Sequence, residues 1–379
     1  MRRRRFLALI ATVGALSAIA AAPSGAGAVP YFKHVFIVML ENEDASSTFG
    51  KRSEAPYLAQ TLRQRGAFVP NYYGIAHNSL TNYIAMVSGQ SANIQTQADC
   101  QVYNDVEPGT PTSDGQYLGT GCVYPVGTQT IANQLQEFGY RWKGYMEDMN
   151  AAAPKGKEFP CRHPAIGQRD PWQDAEPGDQ YATRHNPFVY FHSIIDFRTC
   201  RRHDVGFSHL RKDLRHKRTT PNYVFITPNL CHDGHDEPCV TGAPGGLKSI
   251  NRWLRKKMPG ILRSPAFKDR GLLIVTFDEA EATGPEADSS ACCNEKPGPN
   301  MIPPETPGAL NPGPGGGRVG AVMVSPCIRR GTVSKQRYNH YSLLRSIEKN
   351  FQLPYLGYAG QPGLRPFGAD ILNRPGCGQ

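Results

Sequence analysis

HVFIVMLEN, residues 34–42, is an unbroken apolar run that stops on a carboxylate and an amide, Glu41 and Asn42. Two later runs end the same way. YVFITPNL (223–230) leads into His232, Asp233, Gly234, His235 and Asp236, and LLIVTF (272–277) leads into Asp278 and Glu279. A strand of a parallel sheet, buried on both faces, reads as continuous Val/Ile/Leu/Phe rather than as an alternation. Open α/β sheets bind ligands beyond the carboxyl ends of such strands. Three separate stretches of chain are therefore expected to deliver oxygen and imidazole ligands to one spot, the constellation of a metallohydrolase.

Helical periods lie around these runs. Pro56 to Arg65 would turn Tyr57, Leu58 and Leu62 inward, and Thr130 to Phe138 spaces Ile131, Leu135 and Phe138 on one face. Leu247, Ile250, Leu254 and Met258 repeat the pattern, as do Leu343, Leu344, Ile347 and Phe351 after Ser342. Strands alternating with such helices predict an α/β fold, a central mostly parallel sheet with helices on both faces and long decorated loops. A further strand is expected at Val319 to Val324. Before it, the Pro/Gly-rich stretch Thr283 to Gly317 reads as a surface loop close to the site, and residues 99–127 and 150–180 read as further loops.

Arg2 to Arg5 precede an apolar or small stretch from Phe6 to Ala22, and Ala26-Gly27-Ala28 offers a small-residue cleavage site. The pattern is that of an export signal, residues 1–28, followed by a single catalytic domain at 29–379. Arg3-Arg4-Arg5-Phe6-Leu7 fits a twin-arginine core, although ordinary secretory signals carry similar basic segments. No other stretch approaches the roughly 18 apolar residues of a membrane span, so a secreted protein with no transmembrane anchor after cleavage is expected. Without those four Arg the formal charge drops from +10 to +6. Such basicity suits anionic substrates and is equally a common solubility device. An even ten Cys, all beyond the signal, point to disulfides in an exported chain, with Cys231 and Cys239 placed to staple the His/Asp loop. No C-x-x-C pair supports a Cys-rich zinc site.

HNSLTNYIAMVSG, residues 77–89, places Leu80, Ile84 and Val87 on one helical face, with Gly89 as terminator and Ser79 at the start. A hydroxyl there meets the positive end of the helix dipole, where N–H groups can hold an anion. Ser79 reads as a nucleophile or as a plain N-cap. Asn82, one turn on, could donate to a phosphoryl oxygen.

Together, HVFIVMLEN, HNSLTNYIAMVSG, TPNLCHDGHD, TFDE and the late HYSLLRSIEKNF resemble the bacterial phosphoesterase family of secreted acid phosphatases and phospholipases C. They are especially similar to its phosphatidylinositol 3-phosphate phosphatases. That family belongs to the alkaline phosphatase superfamily, and the resemblance covers about residues 33 to 355. Glu43 to Gly50 fits the family's FDxxFG-like stretch only in part, and the long insertion before Val319 is unusual.

The resemblance implies an alkaline-phosphatase-like fold with Ser79 as nucleophile and a metal beside it on Glu41, Asn42, Asp278 and Glu279. A Ser hydroxyl is a poor nucleophile near neutral pH, and a divalent cation on its oxygen, with Ser79 itself as a ligand, lowers its pKa and neutralises charge on the phosphoryl group. Carboxylate and amide ligands suit Ca²⁺, Mg²⁺ or Mn²⁺, and added His shifts the preference towards Zn²⁺ or Fe. Asp233, His235 and Asp236, after Asn229, would supply further metal ligands or the acid for the leaving oxygen. His340 resembles the late His that lies over the phosphate. Arg184 and His185 open an RHNPF motif that is either a phosphate clamp or a turn fixed by Asn-Pro.

The expected activity is hydrolysis of phosphomonoesters, phosphoinositides included, through a phosphoserine. The partners implied are phosphorylated small molecules or phospholipid headgroups. A phospholipase C-type phosphodiesterase is the alternative within the fold, and a secreted metal-stabilised binding protein without turnover is the alternative outside it. No C/S-x-P-x-R signature surrounds Ser79 to suggest sulfate esters, and no aromatic-basic motif suggests a specific nucleic acid.

Overall fold

All seven residues of the first apolar run, His34 to Leu40, are buried, as are all five of Tyr223–Thr227 and all seven of Gly271–Phe277. Full burial means that both faces of these strands are covered, and this is why the runs carry no alternation. The computed structural model describes residues 32–284, 287–301 and 314–374, so the export signal expected at 1–28 lies outside the described residues.

In chain order the strands are β1 (His34–Leu40), β2 (Ala67–Val69), β3 (Tyr72–Tyr73), β4 (Glu107–Pro111), β5 (Tyr117–Thr120), β6 (Trp142–Met146), β7 (Asp204–Gly206), β8 (Tyr223–Thr227), β9 (Gly271–Phe277), β10 (Ala321–Val324), β11 (Thr332–Val333) and β12 (Tyr338–Asn339). Eight of them form one sheet in the order β11-β2-β10-β9-β1-β8-β6-β7. The five from β9 to β7 run parallel, while β10 is antiparallel to both its neighbours. The fold is the expected α/β class, with one reversed strand in a mostly parallel sheet.

Register decides what the strand ends present. Leu40 pairs with Phe277, so the residues that follow, Glu41 and Asp278, emerge side by side. The Asp278 N–H donates to the Leu40 carbonyl at 2.9 Å. Beyond β8 the chain loops through Asn229 to Asp233, whose carbonyl accepts from the Glu41 N–H at 2.9 Å. The three acidic strand ends are thus tied by backbone hydrogen bonds.

Most of the anticipated helices form where their apolar faces require. Gly246–Arg263 buries Leu247, Ile250, Leu254 and Met258, and His340–Phe351 buries Leu343, Leu344, Ile347 and Phe351. Ile131–Glu137 starts on a capping box in which Thr130 and Asn133 bond each other's backbone. Phe138, expected inward, lies past the last turn and is 49% exposed. Tyr57–Leu62 winds as a π-helix before Arg63–Arg65 closes α-helically, with Leu58 and Leu62 buried.

The loops hold more order than their composition suggests. Within 99–127, the Cys100–Cys122 disulfide brackets the antiparallel β4–β5 pair, which the sequence reading missed. Residues 150–180 contain no strand or helix, but fully buried Arg162 organises them. Its guanidinium pairs with Asp179 at 2.5 Å and lies 4.2 Å from the centre of the Trp172 ring. Cys161–Cys200, Cys292–Cys293 and the anticipated Cys231–Cys239 complete four disulfides among the described residues. No described helix is long and apolar enough to cross a membrane.

Candidate active site

Glu41, Asp233 and Asp278 meet where β1, the β8 loop and β9 end, and all three are buried. Asn42 makes the turn out of β1 in a left-handed conformation, φ 56°, which Asn tolerates better than most residues. Its N–H donates to Asp278 Oδ1 at 3.3 Å. On the β8 side, Asp233 Oδ1 accepts from the His235 N–H at 2.9 Å across Gly234. Gly234 has φ +109°, and a Cβ there would sit 2.5 Å from Ile250 Cδ1, so the turn that aims Asp233 inward requires glycine.

Three carboxylates in so small a volume resist ionising together. Burial, then Asp278 and Asp233, push the Glu41 carboxyl well above its usual range. Asp233 is raised by burial above all, and Asp278 is raised by burial to about 6. His185 lies among them, its Nδ1 3.1 Å from Asp233 Oδ2 and its Nε2 3.3 Å from Glu41 Oε2. Burial, then the Arg184 guanidinium, hold His185 well below its ordinary pKa, so it is neutral.

Ser79 opens the helix Ser79–Ser88 as its first residue, and Gly89, φ 70°, ends it as the sequence predicts. All ten residues of this helix are buried, not just the Leu80 face. The Ser79 hydroxyl donates to Glu41 Oε2 at 2.8 Å. One turn later Tyr83 donates to Glu41 Oε1 at 2.5 Å and stacks on His185, ring planes 4° apart. Nucleophile candidate, acceptor and imidazole form one packed unit.

The remaining predicted residues divide. Arg184 joins the site wall, its Nη2 donating to His235 Nε2 at 2.9 Å, while His235 Nδ1 bonds Asp236 Oδ1 at 2.8 Å. Glu279 turns away from its neighbour Asp278 to pair with His77 at 2.5 Å. His77 Nε2 in turn lies 2.9 Å from Ser289 Oγ, so the described part of the 283–317 insertion lies against the residues preceding Ser79. Asn82 uses its amide inside the fold: Oδ1 accepts from the Ile75 and Ala76 N–H groups, and Nδ2 donates to the Ala76 and Asn78 carbonyls. It braces the loop before Ser79. His340 is wholly buried behind Asp278, Nε2 donating to the Asp278 carbonyl at 2.5 Å and Nδ1 accepting from Tyr72 at 3.1 Å. Burial lowers its pKa to about 4, so the ring stays neutral.

Tyr83, His77 and Asp99 escaped the sequence reading. Tyr83 lies four residues after Ser79, a spacing that places both on one helix face. His77 stands in the same string as Ser79, but its pairing with Glu279 spans 202 residues. Asp99 sits in a stretch read as loop, and no pattern marks it.

Two buried polar atoms in this cluster, Asp278 Oδ2 and His185 Nε2, have no hydrogen-bond partner among the described residues. Glu41, His185 and Asp233 present ligand atoms within 4.8 Å of one another. Crowded carboxylates with orphaned acceptors fit a divalent cation, which supplies both the missing charge and the missing partners.

The fold and this site define an α/β protein with a serine set among buried carboxylates, and comparison with known proteins places it more narrowly. The sequence profile of the Phosphoesterase family matches residues 51–354, and the chain belongs to that family. A probable acid phosphatase of Kluyveromyces lactis is 25% identical over 86% of this chain and 60% of its own length. The phosphate-repressible acid phosphatase of Penicillium chrysogenum is 25% identical over 78% of this chain, which spans only 54% of that protein. A phosphatidylinositol-3-phosphatase of Mycobacterium tuberculosis is 24% identical over 93% of this chain and 86% of its own. Among solved structures, Ps i-CgsB with bound k-i-k-neocarrahexaose superposes with a TM-score of 0.50 at 11% identity, over 90% of this chain and 77% of that one. That is a likeness of fold alone.

Proposed function

We propose that the protein is a divalent-cation-dependent phosphomonoesterase that works through a phosphoserine on Ser79. One observation carries this reading: the Ser79 hydroxyl, at a helix N-terminus, donates at 2.8 Å to a buried carboxylate crowded by two others and an imidazole. The acid phosphatases and the phosphatidylinositol-3-phosphatase among its relatives support it. Four disulfides and the basic-apolar-small N-terminal pattern support an exported protein.

Glu41, Asp233, Asp278 and His185 would hold the cation, with the Asn42 N–H bonded to Asp278 and Glu279 engaged by His77. Bound there, it would offset the carboxylate charge, lower the pKa of the neighbouring hydroxyl and stabilise charge on the phosphoryl group. Oxygen donors suit Mg²⁺, Ca²⁺ or Mn²⁺, and the His185 nitrogen adds affinity for Mn²⁺ or Zn²⁺.

The side chains supply the rest. Ser79 Oγ attacks phosphorus in line while its proton passes to Glu41. N–H groups at the helix start and the Arg184 guanidinium hold phosphoryl oxygens. His235, bonded to Asp236 through Nδ1 and accepting from Arg184 at Nε2, orients the guanidinium. The leaving oxygen takes its proton from solvent water, the hydroxide left behind cleaves the phosphoserine, and Glu41 returns its proton to Ser79. Asn82 and His340 act as positioning residues, the first fixing the loop before Ser79 and the second the backbone of Asp278.

These groups recognise the dianionic phosphoryl group rather than the alcohol, so many monoesters, phosphoinositides included, are substrates and diesters are poor ones. Assaying phosphate release from an aryl phosphate and a phosphoinositide, with and without chelator, alongside an aryl phosphodiester, tests this reading. Faster cleavage of the diester would replace it with a phospholipase C-type activity.

A further inference from the structure

We infer that Asp99 is a positioning residue that couples the start of the nucleophile's helix to the Arg184 guanidinium, fixing that cation against the phosphoryl site. The inference rests on the function proposed above and deepens it. An α-helix leaves its first N–H groups without intrahelical partners, and a side chain at the N-cap usually satisfies one. Here the N-cap, Asn78, makes no side-chain cap. Asp99 Oδ1 reaches across from another loop and accepts from the Leu80 N–H at 2.9 Å, immediately after Ser79.

The same carboxylate faces the cation. Asp99 Oδ2 lies 3.8 Å from Arg184 Nε, with side chains only 18% and 6% exposed. Gln173 closes the triangle: its Nε2 donates to the Asp99 carbonyl at 2.9 Å, and its own carbonyl accepts from Arg184 Nη1. His235 takes one N–H of Nη2. A guanidinium has five N–H donors in a fixed planar fork. These contacts set its plane and leave one Nη2 N–H without a partner among the described residues.

The backbone at this point is unusual in a way that packing must sustain. Asp99 and Cys100 both adopt left-handed conformations, φ 52° and 54°, which cost non-glycine residues about 1 kcal/mol or more each. The Cys100–Cys122 disulfide and bonds from the Asp99 and Cys100 N–H groups to the Thr96 and Gln95 carbonyls hold them there. A cap alone would need no such bend, since Ser, Thr or Asp at the N-cap provides one locally.

A carboxylate so near the nucleophile would repel a phosphate dianion if it stood alone. Paired with Arg184, it serves to orient positive charge instead, and its effect on substrate should pass through Arg184. Asp99→Asn tests this, because Asn keeps an acceptor for the Leu80 N–H and loses only the charge that holds the guanidinium. The expected result is a KM for aryl phosphate raised about tenfold with kcat changed less than about threefold, and the same rise in the inhibition constant of inorganic phosphate. In an Arg184→Ala background Asp99→Asn should add nothing further, since residues acting as one unit are non-additive. Unchanged KM, or effects of the two substitutions that multiply, would overturn the inference while leaving the phosphatase intact. If the wild type releases no phosphate from any monoester, the functional reading fails separately. Calorimetric binding of inorganic phosphate to the same four proteins then decides whether Asp99 acts through Arg184.

Discussion

The site has two halves built on different principles. Glu41, Asp233 and Asp278 lie at strand ends tied together by backbone hydrogen bonds, and they crowd three carboxyl groups whose joint ionisation the fold itself resists. Opposite them, Asp99, Arg184, His235 and Gln173 come from loops, and each charge there has a partner. Under the proposed function, the strand-end half needs a bound cation to become a working electrostatic site. By contrast, the loop half is preorganised by its own contacts and by disulfides. Rigid strands can hold like charges together against repulsion, whereas loops must balance theirs to stay in place.

The largest effect should follow from removing the group both halves serve. Ser79→Ala is expected to lower phosphate release from an aryl phosphate by at least about a thousandfold, with a thermal midpoint close to wild type. Near-normal turnover in a folded variant would end the covalent mechanism and the comparison with it.

Next comes the strand-end half. Glu41→Gln or Asp278→Asn should lose bound metal and about a hundredfold in activity, partly restored by excess divalent cation. Elemental analysis beside the assay reads both. A wild type fully active after exhaustive chelation, and metal-free, would show that this half needs no cation. Tyr83→Phe sharpens the point by removing one hydrogen bond to Glu41 while keeping the ring that stacks on His185. About a tenfold loss is expected, as for a bond to an ionised partner; no change would mean that Glu41 Oε1 is oriented by something else.

Smallest is a contrast between crowded and solitary buried acids. Asp204 is also buried, and burial raises its pKa to about 8, but its neighbour is the neutral amide of Asn186 at 2.8 Å. A carboxylate with a raised folded-state pKa is held protonated by the fold, so its stabilising effect is complete below its unfolded pKa, near 4, and fades as pH rises through about 8. Asn cannot ionise. Asp204→Asn should therefore gain several degrees in thermal midpoint over wild type between pH 5 and pH 9, and divalent cations should not alter that gain. A gain that vanishes with added cation would mean that Asp204 belongs electrically to the site.

Much of this protein was legible in its sequence, for identifiable reasons. The apolar runs ending in acids gave the buried parallel strands and their ligand-bearing ends, because full burial erases alternation and register carries the next residue to the sheet's edge. Ser79 and Gly89 could be read as the ends of a helix from local chemistry, and Cys231–Cys239 from spacing. Glu279 shows where such reading stops. It is adjacent to Asp278 and was expected beside it, yet it pairs with His77, a choice fixed by a loop contact 202 residues away. His185 sits among the strand-end acids rather than only in the clamp with Arg184, and His340 and Asn82 brace backbone.

The sequence by itself determined the sheet, the acidic strand ends and the place of the serine, since these follow from periodicity and from the direction a strand runs. Only the tertiary structure decided which acids face one another, which histidines are locked neutral and how Asp99 meets Arg184. Those outcomes depend on burial and on hydrogen bonds between segments far apart in the chain, and no local pattern encodes them.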